Sequence, residues 1–80
     1  SIRILIVDDN KMNRKLLQHI LKPIGFVLEE AENGQIAVER VPVFLPHLIF
    51  MDIRMPEKDG EEATLEIREK NLGDNPIIIA

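Results

Sequence analysis

Aspartates carry the chemistry of this sequence. Asp8 and Asp9 directly follow the apolar run IRILIV (Ile2–Val7), and Asp52 closes a second apolar run within LIFMDIRMPEKDG (Leu48–Gly60). A buried strand that ends on a carboxylate needs a reason, because a charge taken out of water is costly unless it is paired or binds a cation. Three carboxylates in one pocket repel one another by about 4 kcal/mol per pair at ~4 Å and an effective dielectric near 20. Such a cluster takes up protons or recruits a cation. An all-oxygen donor set with no His or Cys beside it suits a hard ion, Mg²⁺ best of all. A carboxylate beside such an ion can act as a nucleophile toward phosphorus and form an aspartyl-phosphate. Taken singly, each aspartate also fits the bland role of a cap on the next helix.

The three can meet only if the chain brings them together. IRILIV has the β-branched character of a strand buried on both faces. From Asn10, an N-cap candidate, the period becomes helical: Met12, Leu16, Leu17, Ile20 and Leu21 form an inward stripe. Lys11, Arg14, Lys15, Gln18 and Lys22 make a basic face that reads as solvated, with partner docking as the sharper alternative; Pro23 and Gly25 close the helix. FVLEEA (Phe26–Ala31) reads as an edge strand, and ENG (Glu32–Gly34) as a turn whose Asn33 caps a helix from Gln35 to about Val41, ended by Pro42. LIFMD is the third strand. A third helix runs from Glu61 to about Asn71, with Ala63 and Ile67 inward and Glu66–Lys70 as an i,i+4 pair. IIIA (Ile77–Ala80) is a fourth strand.

The order β-α-β-α-β-α-β predicts an α/β fold, a doubly wound parallel sheet with right-handed crossovers. In such a sheet all strand C-termini lie along one edge, where ligands bind at the switch point. Asp8, Asp9 and Asp52 converge there if strands one and three are neighbours.

Composition bounds the rest. Eighty residues make one small domain, 45% apolar and 30% charged, with net charge −4. That net negative charge argues against nucleic acid as the primary partner of this domain. Cysteine is absent, which excludes disulfides, thiolate metal sites and a Cys nucleophile and fits a reducing compartment. No apolar run approaches the roughly 20 residues of a membrane span, and nothing reads as a signal peptide, so the expectation is cytoplasmic without membrane contact.

With these pieces in place, the chain resembles the receiver domain of two-component response regulators and hybrid histidine kinases. ILIVDDN, ENG, LIFMDIRMPEKDG and PIIIA carry the resemblance, above all the pattern M-D-x-x-M-P-x-x-D-G. It implies a flavodoxin-like sheet; the order 2-1-3-4-5 is that of the family's chemotaxis member, itself a standard example of the doubly wound sheet. Asp52 is then the phosphoacceptor, Asp9 a direct Mg²⁺ ligand, Asp8 a ligand through water, and the Arg54 backbone carbonyl a further ligand. The Arg54 side chain sits where family members tune hydrolysis of the aspartyl-phosphate, or is a plain surface Arg. The Met55–Pro56 turn shapes the loop, with simple packing of Met55 as the alternative, and Gly60 opens the next helix. The implied partner is a histidine kinase or histidine phosphotransfer domain.

Some positions depart from the family. His47 replaces a usual acidic residue and reads as neutral filler. Ile36 also stands where an acid is common and could face a partner, while VPVFLP (Val41–Pro46) packs under the sheet's lower rim. The family's Ser or Thr after strand four and Lys after strand five have no counterpart in residues 1–80, which correspond to the N-terminal two-thirds of a receiver. The resulting expectation is self-association, or a further segment, covering the Ile77–Ala80 edge. A second reading is an interaction or dimerisation module that keeps the fold without phosphorylation. A metal-dependent phosphohydrolase would want an Asp where Arg54 stands, and a dinucleotide-binding domain would need a Gly-rich turn after strand one.

Overall fold

The computed structural model describes residues 1–55 and 57–80; Pro56, half of the Met55–Pro56 turn, lies outside them. Four strands, β1 (Arg3–Val7), β2 (Val27–Ala31), β3 (Leu48–Met51) and β4 (Ile77–Ile79), alternate with α1 (Lys11–Leu21), α2 (Gly34–Phe44) and α3 (Gly60–Glu69). All pairings are parallel, and the strand order is β2-β1-β3-β4. The register sets Val7 beside both Ala31 and Met51, so β1, β2 and β3 end level with one another.

Alternation along the strands divides the sheet into two faces. Leu5, Val7, Ala31, Ile49 and Met51 meet Ala37, Val38 and Val41 of α2 and Ala63 and Ile67 of α3 in the main core. Ile36, Phe44, Leu72 and Ile78 flank that cluster, so Ile36 packs inward. Met55 joins the core, which decides for packing at that position. The opposite face carries Ile4, Leu48, Phe50 and Ile77, which line an open groove of about 420 Å³ together with Ile2, Leu21 and Phe26.

That second face corrects the expectation for α1. No residue of α1 is buried: Met12, Leu16 and Ile20 of the anticipated inward stripe are 75%, 59% and 53% exposed, and only Leu17 and Leu21 are half-covered. A helix stripe is buried only if something lies against its whole width. Here α1 rests along β1, and among the described residues neither α2 nor α3 packs closely against it. The polar side contains the least exposed charged group of the helix, because the Arg14 side chain is only 13% exposed.

Pro42 supplies a second correction, since it lies inside α2 and does not end it. Its missing N–H costs one hydrogen bond near the C-terminus, and its fixed φ is helical. The helix ends at Leu45, in the left-handed region at φ 52°, whose N–H donates to the Val41 carbonyl at 2.9 Å, with buried Pro46 following. At the lower rim, Arg3 Nε donates to the carbonyls of Phe44 and Leu45 at 3.0 and 2.8 Å, while Val43 stays exposed. His47 accepts the Arg3 backbone N–H on Nδ1 at 3.0 Å, at the end of β3 opposite Asp52. No helix among the described residues is long and apolar enough to cross a membrane.

Candidate functional site

Asp8 and Asp52 are held by the sheet ladder one residue beyond its strands. The Asp8 N–H donates to the Ala31 carbonyl at 3.1 Å, and the Asp52 N–H donates to the Val7 carbonyl at 2.9 Å. With Asp9 they form one cluster, in which a carboxylate oxygen from each residue lies within 4.8 Å of the other two. Asp8 and Asp52 are half-buried and Asp9 is exposed. The anticipated convergence is therefore present, and it follows from β1 and β3 being neighbours.

The first turn of α1 organises one wall. Asn10 caps the helix by accepting from the Met12 and Asn13 N–H groups at 2.8 and 3.2 Å. Asp8 accepts on both oxygens, from the Asn10 N–H at 2.8 Å and from Asn13 Nδ2 at 3.3 Å. Arg14 Nη1 donates to the Asp8 carbonyl at 2.8 Å.

The loop after β3 forms the other wall. Asp52 Oδ1 accepts from the exposed Arg54 N–H at 3.3 Å. Asp59 caps α3 through the Glu62 N–H at 2.9 Å, and the Gly60 N–H donates to the Ile53 carbonyl at 3.0 Å. The Gly34 N–H at the start of α2 donates to the Lys58 carbonyl at 3.0 Å. A Cβ on either glycine would overlap backbone, that of Lys58 for Gly34 and that of Asp52 for Gly60. Both glycines therefore permit close approach of a helix end to this loop. Lys58 is ion-paired with Glu66, which also accepts from Lys70 at 3.1 Å. The Lys58 ammonium, with Lys70 behind it, holds the Glu66 carboxyl below the usual carboxylate range.

Three clustered carboxylates and no nitrogen or sulfur donor fit a hard divalent cation. A shallow cleft of about 250 Å³ adjoins them, lined by Val7, Leu17, Phe50, Met51 and Ile79 beside Asp8 and Asp52. A larger hollow of about 460 Å³ between α3 and β4 contains none of the three acids. Asn13, Arg14, Lys58 and Gly34 were not singled out by the residue pattern as parts of the site. The available signal was position: Asn13 and Arg14 lie in the first turn after the cap, next to the strand ends.

A doubly wound parallel sheet with three carboxylates at adjacent strand ends defines a class of α/β domains whose acidic site lies on the carboxyl edge of the sheet. Within that class, the chain belongs to the response regulator receiver domain family, whose model matches residues 4–80. It is 46% identical over 71 residues to the chemotaxis protein CheY of Halobacterium salinarum, covering 89% of this chain and 59% of that protein. The chain thus spans about three-fifths of that curated relative's length. The receiver domain of a Pseudomonas aeruginosa sensor histidine kinase, with a magnesium ion coordinated in its active-site cleft, superposes with a TM-score of 0.91 at 34% identity, over 100% of this chain and 66% of that one. The co-crystal structure of the Saccharomyces cerevisiae histidine phosphotransfer protein Ypd1 and the Ssk1 receiver domain matches with a TM-score of 0.86 at 34% identity, over 98% and 61%. The protein is a receiver domain of two-component signalling with the flavodoxin-like fold.

Proposed function

We propose that Asp52 accepts a phosphoryl group from a phosphohistidine, carried by a histidine kinase or a histidine phosphotransfer domain. The observation that carries this reading is the meeting of the Asp8, Asp9 and Asp52 carboxylates within 4.8 Å at neighbouring strand ends. An Asp52 oxygen attacks phosphorus, the P–N bond breaks, and its electron pair passes to the imidazole. Asp8, Asp9 and Asp52, with the Arg54 carbonyl, would hold Mg²⁺. When bound, that ion supplies positive charge against the phosphoryl oxygens and the attacking carboxylate. The chain's own contribution is positional: the Val7 carbonyl fixes the Asp52 backbone, and the Arg54 N–H orients its carboxylate. The domain catalyses its own phosphotransfer and is not a turnover enzyme in the ordinary sense. Residues 1–80 serve as the N-terminal two-thirds of such a receiver, in the cytoplasm.

Incubation with a small phosphodonor tests the reading. The expected result is a mass gain of one phosphoryl group that requires Mg²⁺ and disappears in Asp52→Asn. No gain at saturating donor would favour the second reading, an unphosphorylated interaction module. What speaks for that alternative is the number of exposed apolar side chains, Met12, Leu16 and Ile20 on α1 and Ile77 and Ile79 on β4.

A further inference from the structure

We infer that Arg14 is a positioning residue for the acidic site, acting through the peptide bond that joins Asp8 to Asp9. This inference rests on the metal-binding reading above and concerns how the site is kept in register.

Arg14 departs from its neighbours on the polar side of α1. Lys11 and Lys15 are exposed, whereas the Arg14 side chain is folded down to 13% exposure. Its guanidinium makes a fork with two partners on different elements. Nη1 donates to the Asp8 carbonyl at 2.8 Å, and Nε donates to Glu30 Oε1 at 2.7 Å. Glu30 is itself steadied on its other oxygen by Gln18 Nε2 at 3.1 Å. Next to Glu30 on β2, Ala31 accepts the Asp8 N–H at 3.1 Å. The Asp8 residue is therefore gripped on both sides of its backbone, by Ala31 at the N–H and by Arg14 at the carbonyl.

The grip matters because of where that carbonyl lies. It belongs to the planar peptide unit leading into Asp9, so fixing its direction fixes how the chain leaves β1 and where Asp9 starts. Asp9 is the exposed member of the cluster, and among the described residues it follows the strand with no ladder bond of the kind that holds Asp8 and Asp52. Arg14 replaces the missing ladder. Outer groups that orient metal-binding residues strongly influence affinity.

A cation beside an anionic pocket would by charge alone oppose a second cation. Arg14 is paired with Glu30, so the clamp is close to neutral and its geometric effect dominates. The two effects have opposite signs, which makes the inference testable without any phosphotransfer. Mg²⁺ affinity is measured by calorimetry on the chain and on Arg14→Gln, Arg14→Lys and Lys15→Gln, with thermal melts recorded in EDTA.

Wild type should bind Mg²⁺; if it does not, the metal-binding reading fails and the inference falls with it. Arg14→Gln should lose about tenfold in affinity, the usual scale for an outer-shell group. Arg14→Lys should lose nearly as much, since one ammonium cannot span both partners in the same geometry. Lys15→Gln, an exposed charge on the same helix, should bind as wild type or slightly tighter. If Arg14→Gln melts out, Arg14→Lys carries the test alone, since it keeps the charge and the Glu30 partner and changes only the geometry of the clamp. Wild-type affinity in Arg14→Lys, or tighter binding in Arg14→Gln, would overturn the inference while leaving the metal-binding reading intact.

Discussion

Gly60 faces the backbone of Asp52 so closely that any Cβ on it would overlap the Asp52 carbonyl. The first residue of α3 and the proposed phosphoacceptor are thus in direct contact across a loop, and the Gly60 N–H closes that loop onto Ile53 at 3.0 Å. Gly60→Ala must push α3 or Asp52 aside. The expected cost is about 1–3 kcal/mol, the usual range for overpacking. Displacement of Asp52 would also lower the rate of phosphorylation. Denaturant melts together with phosphorylation kinetics check both; unchanged stability with unchanged rate would show that the contact yields freely.

Asp8 and Asp9 should differ when removed. Both Asp8 oxygens already accept hydrogen bonds from the α1 turn, whereas Asp9 is exposed. A carboxylate with its lone pairs so engaged suits a role through water better than direct ligation. Asp9→Ala should abolish phosphorylation, while Asp8→Ala should weaken it less but lower the melting temperature by releasing Asn10 and Asn13. Equal losses, or the reverse order, would show the two roles to be wrongly assigned.

The loop between Asp52 and α3 carries a pH-dependent tether. Glu66 is held below the usual carboxylate range by Lys58 first and Lys70 second. A depressed folded-state value means that the unfolded chain binds more protons through this window. The contribution is present above the unfolded value of about 4.3 and lost as pH falls through the lower folded value. Denaturation midpoints followed from about pH 6 down to about pH 3 should decline less steeply in Glu66→Gln than in wild type. Parallel curves would mean that the ion pairs with Lys58 and Lys70 add nothing in solution.

Much of this was legible in the residues, for physical reasons that also explain the failures. Strand and helix periods alternate cleanly, Asn10 and Asn33 have the side chains that cap helices, and both accept the expected N–H bonds. Parallel topology then forces Asp8 and Asp52 to one edge. Pro42 misled because a missing N–H is tolerated late in a helix. The α1 stripe misled because a period shows which residues share a face, not whether anything covers it. Arg14 sat on a polar face and read as solvated; its partner Glu30 comes within reach only once β2 pairs with β1. Gly34 and Gly60 read as a turn and a helix start, and their close contacts belong to other parts of the chain.

The uncovered face leads to the last prediction. Met12, Leu16 and Ile20 on α1 stand exposed, as do Ile77 at 63% and Ile79 at 42% on β4. An apolar groove lined by Ile4, Leu48 and Phe50 reaches from Leu21 of α1 to Ile77, and β4 is one of the two outer strands of the sheet. An outer strand with free backbone donors and acceptors invites pairing, and a monomer rarely exposes more than a few hundred Å² of contiguous apolar surface. The 80 residues expressed alone should therefore associate at micromolar concentration through α1 and β4. Light scattering across a dilution series should show the mass falling toward that of a single chain only at high dilution. Replacing Leu16 and Ile20 by Glu should shift the mixture toward single chains, because both are exposed and their loss removes apolar surface without opening the core. A wild-type chain that stays single, compact and cooperatively unfolding at that concentration would show that α1 and the four strands suffice without a cover on this face.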